Sequence, residues 1–289
     1  MHTLQRLAVA VSLSLACLPV AKAQDSAEAN SVGAQIDALH WVKGPKQVTV
    51  GSNATFDVPA GYIFLGPDDS DRFMALTENL PLATGGTIFA PADFHWWATF
   101  EYEDAGHIKD HDAIDADAIL ASLREGQAQA NAALRERGWS TLEVRGWKQA
   151  PFYDTDTRNL SWATDLFSQD NGETINYNTR LLSRTGYTAA TLVVDPTVYA
   201  ASISEFKRAL QAYKFNPNDS YAAYTAGDKT AEYGLAALIT GGAAAVATKT
   251  GFWKVIAGAL AAGWKFVVAG VAALFAGVRK FLGRSRSET

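Results

Sequence analysis

Residues 142–194 read LEVRGWKQAPFYDTDTRNLSWATDLFSQDNGETINYNTRLLSRTGYTAATLVV, and this stretch decides the fold class. Its β-branched and aromatic residues fall into four runs, 142–147, 160–167, 174–182 and 188–194, with Asp, Asn, Gly and Ser clusters between them. Partly alternating runs bounded by turn formers are the pattern of strands joined by short connections. Strands that follow one another without a helix between them pair antiparallel. Working outward, further strand-like pieces stand at 47–50, 55–58, 62–65 and 87–89, and 94–102 is a strongly aromatic strand. A short helix is expected over 33–41. Two good helices interrupt the strands. The first takes Asp115 as its N-cap and runs to Arg137, closed by Gly138. The second opens at Pro196 and runs through about Tyr213, on the helical spacing of Glu205, Phe206, Ala209, Leu210 and Tyr213. The chain is therefore read as α+β, a mainly antiparallel sheet sandwiched by helices, with a C-terminal transmembrane helix. Adjacent Trp96 and Trp97 must point to opposite faces of their strand, so both faces are expected to be covered.

The ends differ from the body. Of 289 residues, 48% are hydrophobic and 19% charged, which rules out a disordered chain. The formal net charge of −5 divides into −13 over 24–228 and +6 over 229–289. An acidic body with a basic, apolar tail argues against nucleic acid as a partner. Residues 1–23 read as a secretory signal: Arg6, the apolar run 7–20, then Ala21-Lys22-Ala23 before Gln24. Cys17, the single cysteine, lies inside it, so the mature chain carries no thiol chemistry. At the other end, 255–278 carries one charge, Lys265, and spans about 36 Å as a helix against about 30 Å of hydrocarbon. Gly263, Gly270 and Gly277 recur every seven residues beside alanines, a smooth seam for helix packing. The tail 279–289 is basic, which places it in the cytoplasm. The expected organisation is a signal at 1–23, a periplasmic domain at 24–228, a Gly/Ala-rich membrane-proximal segment at 229–254, a transmembrane helix at 255–278 and the tail. A second crossing by the apolar stretch 233–248 stays open. The expected partners are the bilayer and a membrane or envelope protein, or a second copy of the chain. The expected location is a bacterial inner membrane.

The chemistry-bearing stretch is EYEDAGHIKDHDAIDAD at 101–117. Its carboxylates could hold calcium, and His107 and His111 could add a transition metal. As an EF-hand counted from Asp110 it fails, with Ile114 at position five, Asp115 at position six and Ala121 at position twelve. The preferred reading is a solvated acidic turn whose last aspartates cap the following helix. A nucleophile elbow, a phosphate loop and a dinucleotide fingerprint are all missing, so no cofactor is called for. The aromatic residues between 96 and 177 are read as core first and as a groove for sugars or peptides second.

Four stretches in order, EYEDAGHIKDHDAIDADAIL (101–120), GWKQAPFYD…LSWA (146–163), NYNTRLLSRTG (176–186) and DKTAEYGLAALITGG (228–242), resemble a bacterial family of membrane-anchored proteins of unknown function. The layout also resembles a PsbP-like α/β/α sandwich. The family resemblance implies an exported domain with a membrane tail, and no activity. Carried over, its motif residues are Tyr102, Gly106, Asp110, Asp112, Trp147, Asp154, Trp162, Asn176, Asn178, Arg180, Asp228 and Lys229. Where the family has an aromatic residue this chain has His107. Tyr102, Asp110, Asp112, Trp147, Asn176, Asn178 and Arg180 are the candidate ligand- or partner-binding residues. Asn176, Asn178 and Arg180 alternate, so they share one face and are expected to pair with the acidic loop or else to grip an anion. The functional expectation is a non-catalytic binding or scaffold module. Its alternative is a metal-assisted or acid–base envelope hydrolase using Asp110, Asp112, His107 and His111.

Overall fold

The computed structural model describes residues 31–82, 85–110 and 113–240. The helices are α1 (Val32–Asp37), α2 (Pro67–Leu76), α3 (Ala116–Glu136), α4 (Tyr199–Leu210) and α5 (Leu235–Thr240). The strands are β1 (Val42–Lys43), β2 (Lys46–Val50), β3 (Ala54–Val58), β4 (Tyr62–Leu65), β5 (Thr87–Pro91), β6 (Trp96–Glu103), β7 (Glu143–Asp154), β8 (Asn159–Ser168), β9 (Gly172–Leu182), β10 (Tyr187–Val194) and β11 (Tyr213–Phe215). Eight strands form one sheet in the order β1-β4-β5-β6-β10-β9-β8-β7, and β11-β3-β2 form a second. Every pairing is antiparallel, so the α+β sheet expected from 142–194 is what those residues build.

Alternation puts two different cores on the two faces of the large sheet. On the first face Trp96, Phe100, Tyr177, Leu192 and Phe89 pack against the small sheet and α4 through Phe56, Tyr213 and Phe206. Phe100 and Tyr213 stack at 5.7 Å between centroids. The Tyr213 hydroxyl is satisfied by Thr188 at 2.6 Å. On the second face, α2 covers one end through Phe73 and Met74 against Leu65 and Ile88. The other end is closed by Ile108, Ile119 of α3 and Leu235 and Leu238 of α5 over Leu160, Trp162, Leu182 and Tyr187. Trp96 belongs to the first core, while Trp97 packs on the α2 cluster, so both faces are covered.

The helices follow most of their local signals, but the helix expected over 33–41 ends at Asp37, ahead of β1 at Val42, and α5 was not expected. Asp115 caps α3 by accepting from the Ala118 N–H at 3.0 Å, and Gly138 ends it at φ 71°. Arg124 of α3 donates to the Val144 and Arg145 carbonyls, and Asn131 both donates to and accepts from the Leu142 main chain. These bonds cap the first part of the edge strand β7, which would otherwise offer itself to another chain. The expected second helix is shorter than read: α4 ends at Leu210, and Tyr213 lies in β11 opposite Phe56. Strand pairing with β3 wins there over helical spacing. Helix α2 was not expected; its signal is Pro67 at the first position with Asp68 and Asp69 in the first turn.

Among the described residues no helix is long and apolar enough to cross a membrane. The signal 1–23, the residues after 240 with the span 255–278 and its Gly263, Gly270 and Gly277, the tail 279–289, and His111 and Asp112 lie outside the described residues.

Candidate functional site

The quoted motifs converge on one corner at the second face. Gly106 donates to the Thr185 carbonyl at 2.8 Å, His107 donates to the Lys229 carbonyl at 2.8 Å, and Ala231 donates back to His107 at 2.9 Å. Three segments distant in sequence, 103–110, 183–187 and 228–231, are thus stitched main chain to main chain. Glycine is required at two of the crossings. A Cβ on Gly106, whose φ is 90°, would meet Ala231 N at 2.9 Å, and one on Gly186 would lie 1.9 Å from the Glu103 carbonyl oxygen.

Two carboxylates of this corner, Asp228 and Asp110, are each bonded by an arginine. Asp228 takes the Arg184 guanidinium in two bonds of 2.8 Å and the Thr225 N–H at 2.8 Å, which hold its carboxyl well below the usual carboxylate range. Asp110 accepts from the Tyr153 hydroxyl at 2.8 Å and from Arg158. Burial would raise its pKa, but those donors outweigh burial and the net shift is downward. Tyr102 bonds Thr185 at 2.8 Å, and Trp147 donates to the Ala116 carbonyl at 3.2 Å. The His107 ring lies between Tyr221 and Tyr224, at 4.4 and 4.0 Å between centroids. Burial lowers its pKa. Its Nδ1 is buried with no partner. Among the described residues no group of three or more His, Cys, Asp or Glu side chains is placed to hold a metal.

Asn176, Asn178 and Arg180 share the second face, and Arg180 feels the Glu101 carboxylate of the acidic stretch. Arg158, from the β7–β8 turn, bonds Asp110, and Arg184, from the β9–β10 turn, bonds Asp228. Arg180 donates to the Leu238 carbonyl at 3.2 Å and lies over Trp162, 4.7 Å from its centroid. Burial holds the Arg180 pKa below the usual guanidinium range. Asn178 donates to the Asn176 carbonyl and accepts from Thr191. Asn176 Oδ1 is buried without a partner.

A second polar cluster escaped the sequence reading. Glu205 of α4 accepts from Tyr62, from Trp96 Nε1 at 3.2 Å and from His95 Nε2 at 2.9 Å, while His95 Nδ1 meets Asp93 at 2.6 Å. These residues tie α4 to the sheet, and a partner 110 positions away leaves no local signal. Burial alone would lower the His95 pKa, but the two carboxylates raise it above its ordinary 6.5. A histidine with a raised folded pKa stabilises fully below its unfolded pKa and loses that contribution as pH rises through the folded value. His107, held low, acts with the opposite sign and cancels in a comparison of variants. The wild-type unfolding midpoint is therefore expected to fall more steeply than that of His95→Gln as pH rises above about 6.5. Parallel melting profiles across that range would refute the role of His95.

Two clefts open on the sheet, one on each face. One, of about 560 Å³ on the first face, is lined by Tyr177, Leu181 and Tyr213 with Arg158 and Lys207 among its walls. Its Ser161 and Thr179 hydroxyls bond each other at 3.0 Å. The other, of about 430 Å³, lies on the second face between α2, α3 and the sheet.

No curated protein matches the chain. The solution structure of cyanobacterial PsbP (CyanoP) from Synechocystis sp. PCC 6803 is similar over 59% of this chain and 92% of its own, at 10% identity and a TM-score of 0.36. The profile of the family described as "Protein of unknown function (DUF2167)" matches residues 42–275, which hold the whole large sheet and every segment of the interlocked corner, and the chain belongs to that family.

Proposed function

We propose that the chain is a non-catalytic binding module of the cell envelope, exported by residues 1–23 and anchored by one helix over 255–278. In this reading the acidic body faces the periplasm and the tail 279–289 the cytoplasm. The observation that carries the non-catalytic part is the bonding of Asp110 and Asp228 within the fold. Asp110 and Asp228 are held ionised by donors from their own fold, and His107 is turned into two tyrosine rings. A carboxylate bonded in this way is a poor general base, because its proton affinity is already lowered. The anchor rests on the apolar run and the basic residues after it.

Fractionation of cells expressing the full chain and a version lacking 255–278 tests this reading. The full chain is expected in the membrane pellet after high salt and alkaline carbonate. The deletion is expected in the periplasmic fraction. A full chain released by carbonate, or a deletion that stays in the pellet, would sink the anchor.

A further inference from the structure

We infer that the first-face cleft binds one ring of an uncharged, β-linked saccharide, stacked on Phe152 and hydrogen-bonded from both walls by Asn159, Lys207 and Gln211. The inference deepens the binding-module reading and rests on it.

Strand register builds the cleft floor. Phe152 stands opposite Ser161, and Ser161 opposite Thr179, so these side chains form one row across β7, β8 and β9. Asp154, Asn159 and Leu181 form the next row on the same face. Leu181 belongs to the first core, which fixes both rows on the first face. The layer above this face is α4 with β11. Phe206 of α4 meets Tyr177 of β9, and Tyr213 of β11 stacks on Phe100 of β6. The edge of that layer is the facing wall of the cleft. It carries Lys207 and Gln211, four residues apart and so on one side of the end of α4.

Three observations decide the occupant. First, Phe152 is 43% exposed, while the other exposed large hydrophobics, Val32, Val198 and Tyr224, line none of the three described clefts. An aromatic ring left bare in a cleft is an apolar platform. Second, the polar groups of the lining divide into two sets. Ser161 and Thr179 bond each other, Asp154 accepts from the Asp156 and Thr157 main chain, and Tyr221 donates to the Ile108 carbonyl. The side chains of Asn159, Lys207 and Gln211, on opposite walls, have no hydrogen-bond or carboxylate partner among the described residues; Lys207 lies over the face of Tyr177 at 5.3 Å. A pyranose brings C–H faces for the platform and a rim of hydroxyls, each donor and acceptor at once, for the amides and the ammonium. Third, the charges of the lining balance. Arg158 is paired with Asp110, and Lys207 is offset by Asp154, so an uncharged occupant leaves no charge uncompensated. A peptide fits less well, because β8 and β9 are paired on both sides and the floor offers it no main-chain groups. A volume of about 560 Å³ lies within the range of small-ligand sites.

The test is saturation-transfer NMR on the full chain in nanodiscs, with cellotetraose and chitotetraose as probes. Both are uncharged and carry equatorial substituents, so their ring faces are free to stack. At least one is expected to bind saturably, with half-saturation at or below about 1 mM. Phe152→Ala is expected to weaken that binding about tenfold, and Phe152→Trp to retain it. Asn159→Ala and Gln211→Ala are each expected to weaken it about fivefold. No saturable binding of either probe, or equal binding by Phe152→Ala, overturns the site. Displacement of the sugar by acetyl-tetraalanine amide at equal concentration overturns the saccharide as its occupant. Should Phe152→Ala fail to fold, Gln211→Ala, which changes an exposed side chain, decides the matter, and unchanged binding overturns the site. Cleavage of the bound sugar would contradict the non-catalytic reading and leave the site standing, whereas intact sugar that does not bind removes the site alone.

Discussion

Gly186→Ala is expected to lower the unfolding midpoint of the body by about 9 °C, corresponding to about 3 kcal/mol for an overlap that side-chain rotation cannot relieve. The added methyl would lie 1.9 Å from the Glu103 carbonyl oxygen and 3.1 Å from Ala105 N, both main chain. Either the 183–187 turn or the end of β6 must move. Movement there strains the bonds from Gly106 to Thr185 and from His107 to Lys229. Gly146→Ala is the control, since a Cβ there meets nothing within 4 Å. It is expected to change stability by less than about 0.5 kcal/mol. Thermal melts of the two variants side by side separate a steric requirement at 186 from a general cost of replacing glycine.

Trp162→Ala is expected to cost about 4 kcal/mol, the range for emptying a buried indole site. Trp162 is 2% exposed and sits among Leu160, Leu182 and Tyr187 under α5. Its ring is also the surface on which the Arg180 guanidinium lies. Truncation leaves a cavity and removes the closer of the two aromatic faces that accommodate Arg180, the other being Tyr187 at 5.9 Å. Trp162→Phe keeps an aromatic face and is expected to cost less than half as much. Chemical denaturation of the two variants measures both values. Equal stability of Trp162→Ala and wild type would mean that α5 does not close this end of the sheet.

The strands were readable because their evidence is local. In β9 the burial alternates from Ile175 through Leu181, and the same alternation stands in the residue types. That period also puts Asn176, Asn178 and Arg180 on one face. Their partners were not readable. Arg158 lies 48 residues from Asp110, Arg184 lies 44 from Asp228, and His95 lies 110 from Glu205. Only the folded arrangement of loops, helix and sheet brings those pairs together. Helix α2 was missed for another reason: PDDSDRFMAL buries only Ser70, Phe73 and Met74, so its apolar stripe is too thin to stand out from a polar loop. Tyr213 misled in the opposite direction, since its spacing from Ala209 and Leu210 continues a helix that the chain leaves at Gln211. The cleft of about 430 Å³ could not be foreseen, because it depends on α2 and α3 standing on either side of one face.

The motif segments form one interlocked corner, and residue-resolved amide exchange on the full chain, wild type beside Gly186→Ala, tests that arrangement. The amides of Gly106, His107 and Ala231 are expected to exchange slowly and at one common rate in the wild type, and to lose protection together in the variant. Rapid exchange at Ala231 while β6 and β10 stay protected in the wild type would contradict the interlock, because the 228–231 segment would then not be held against the sheet.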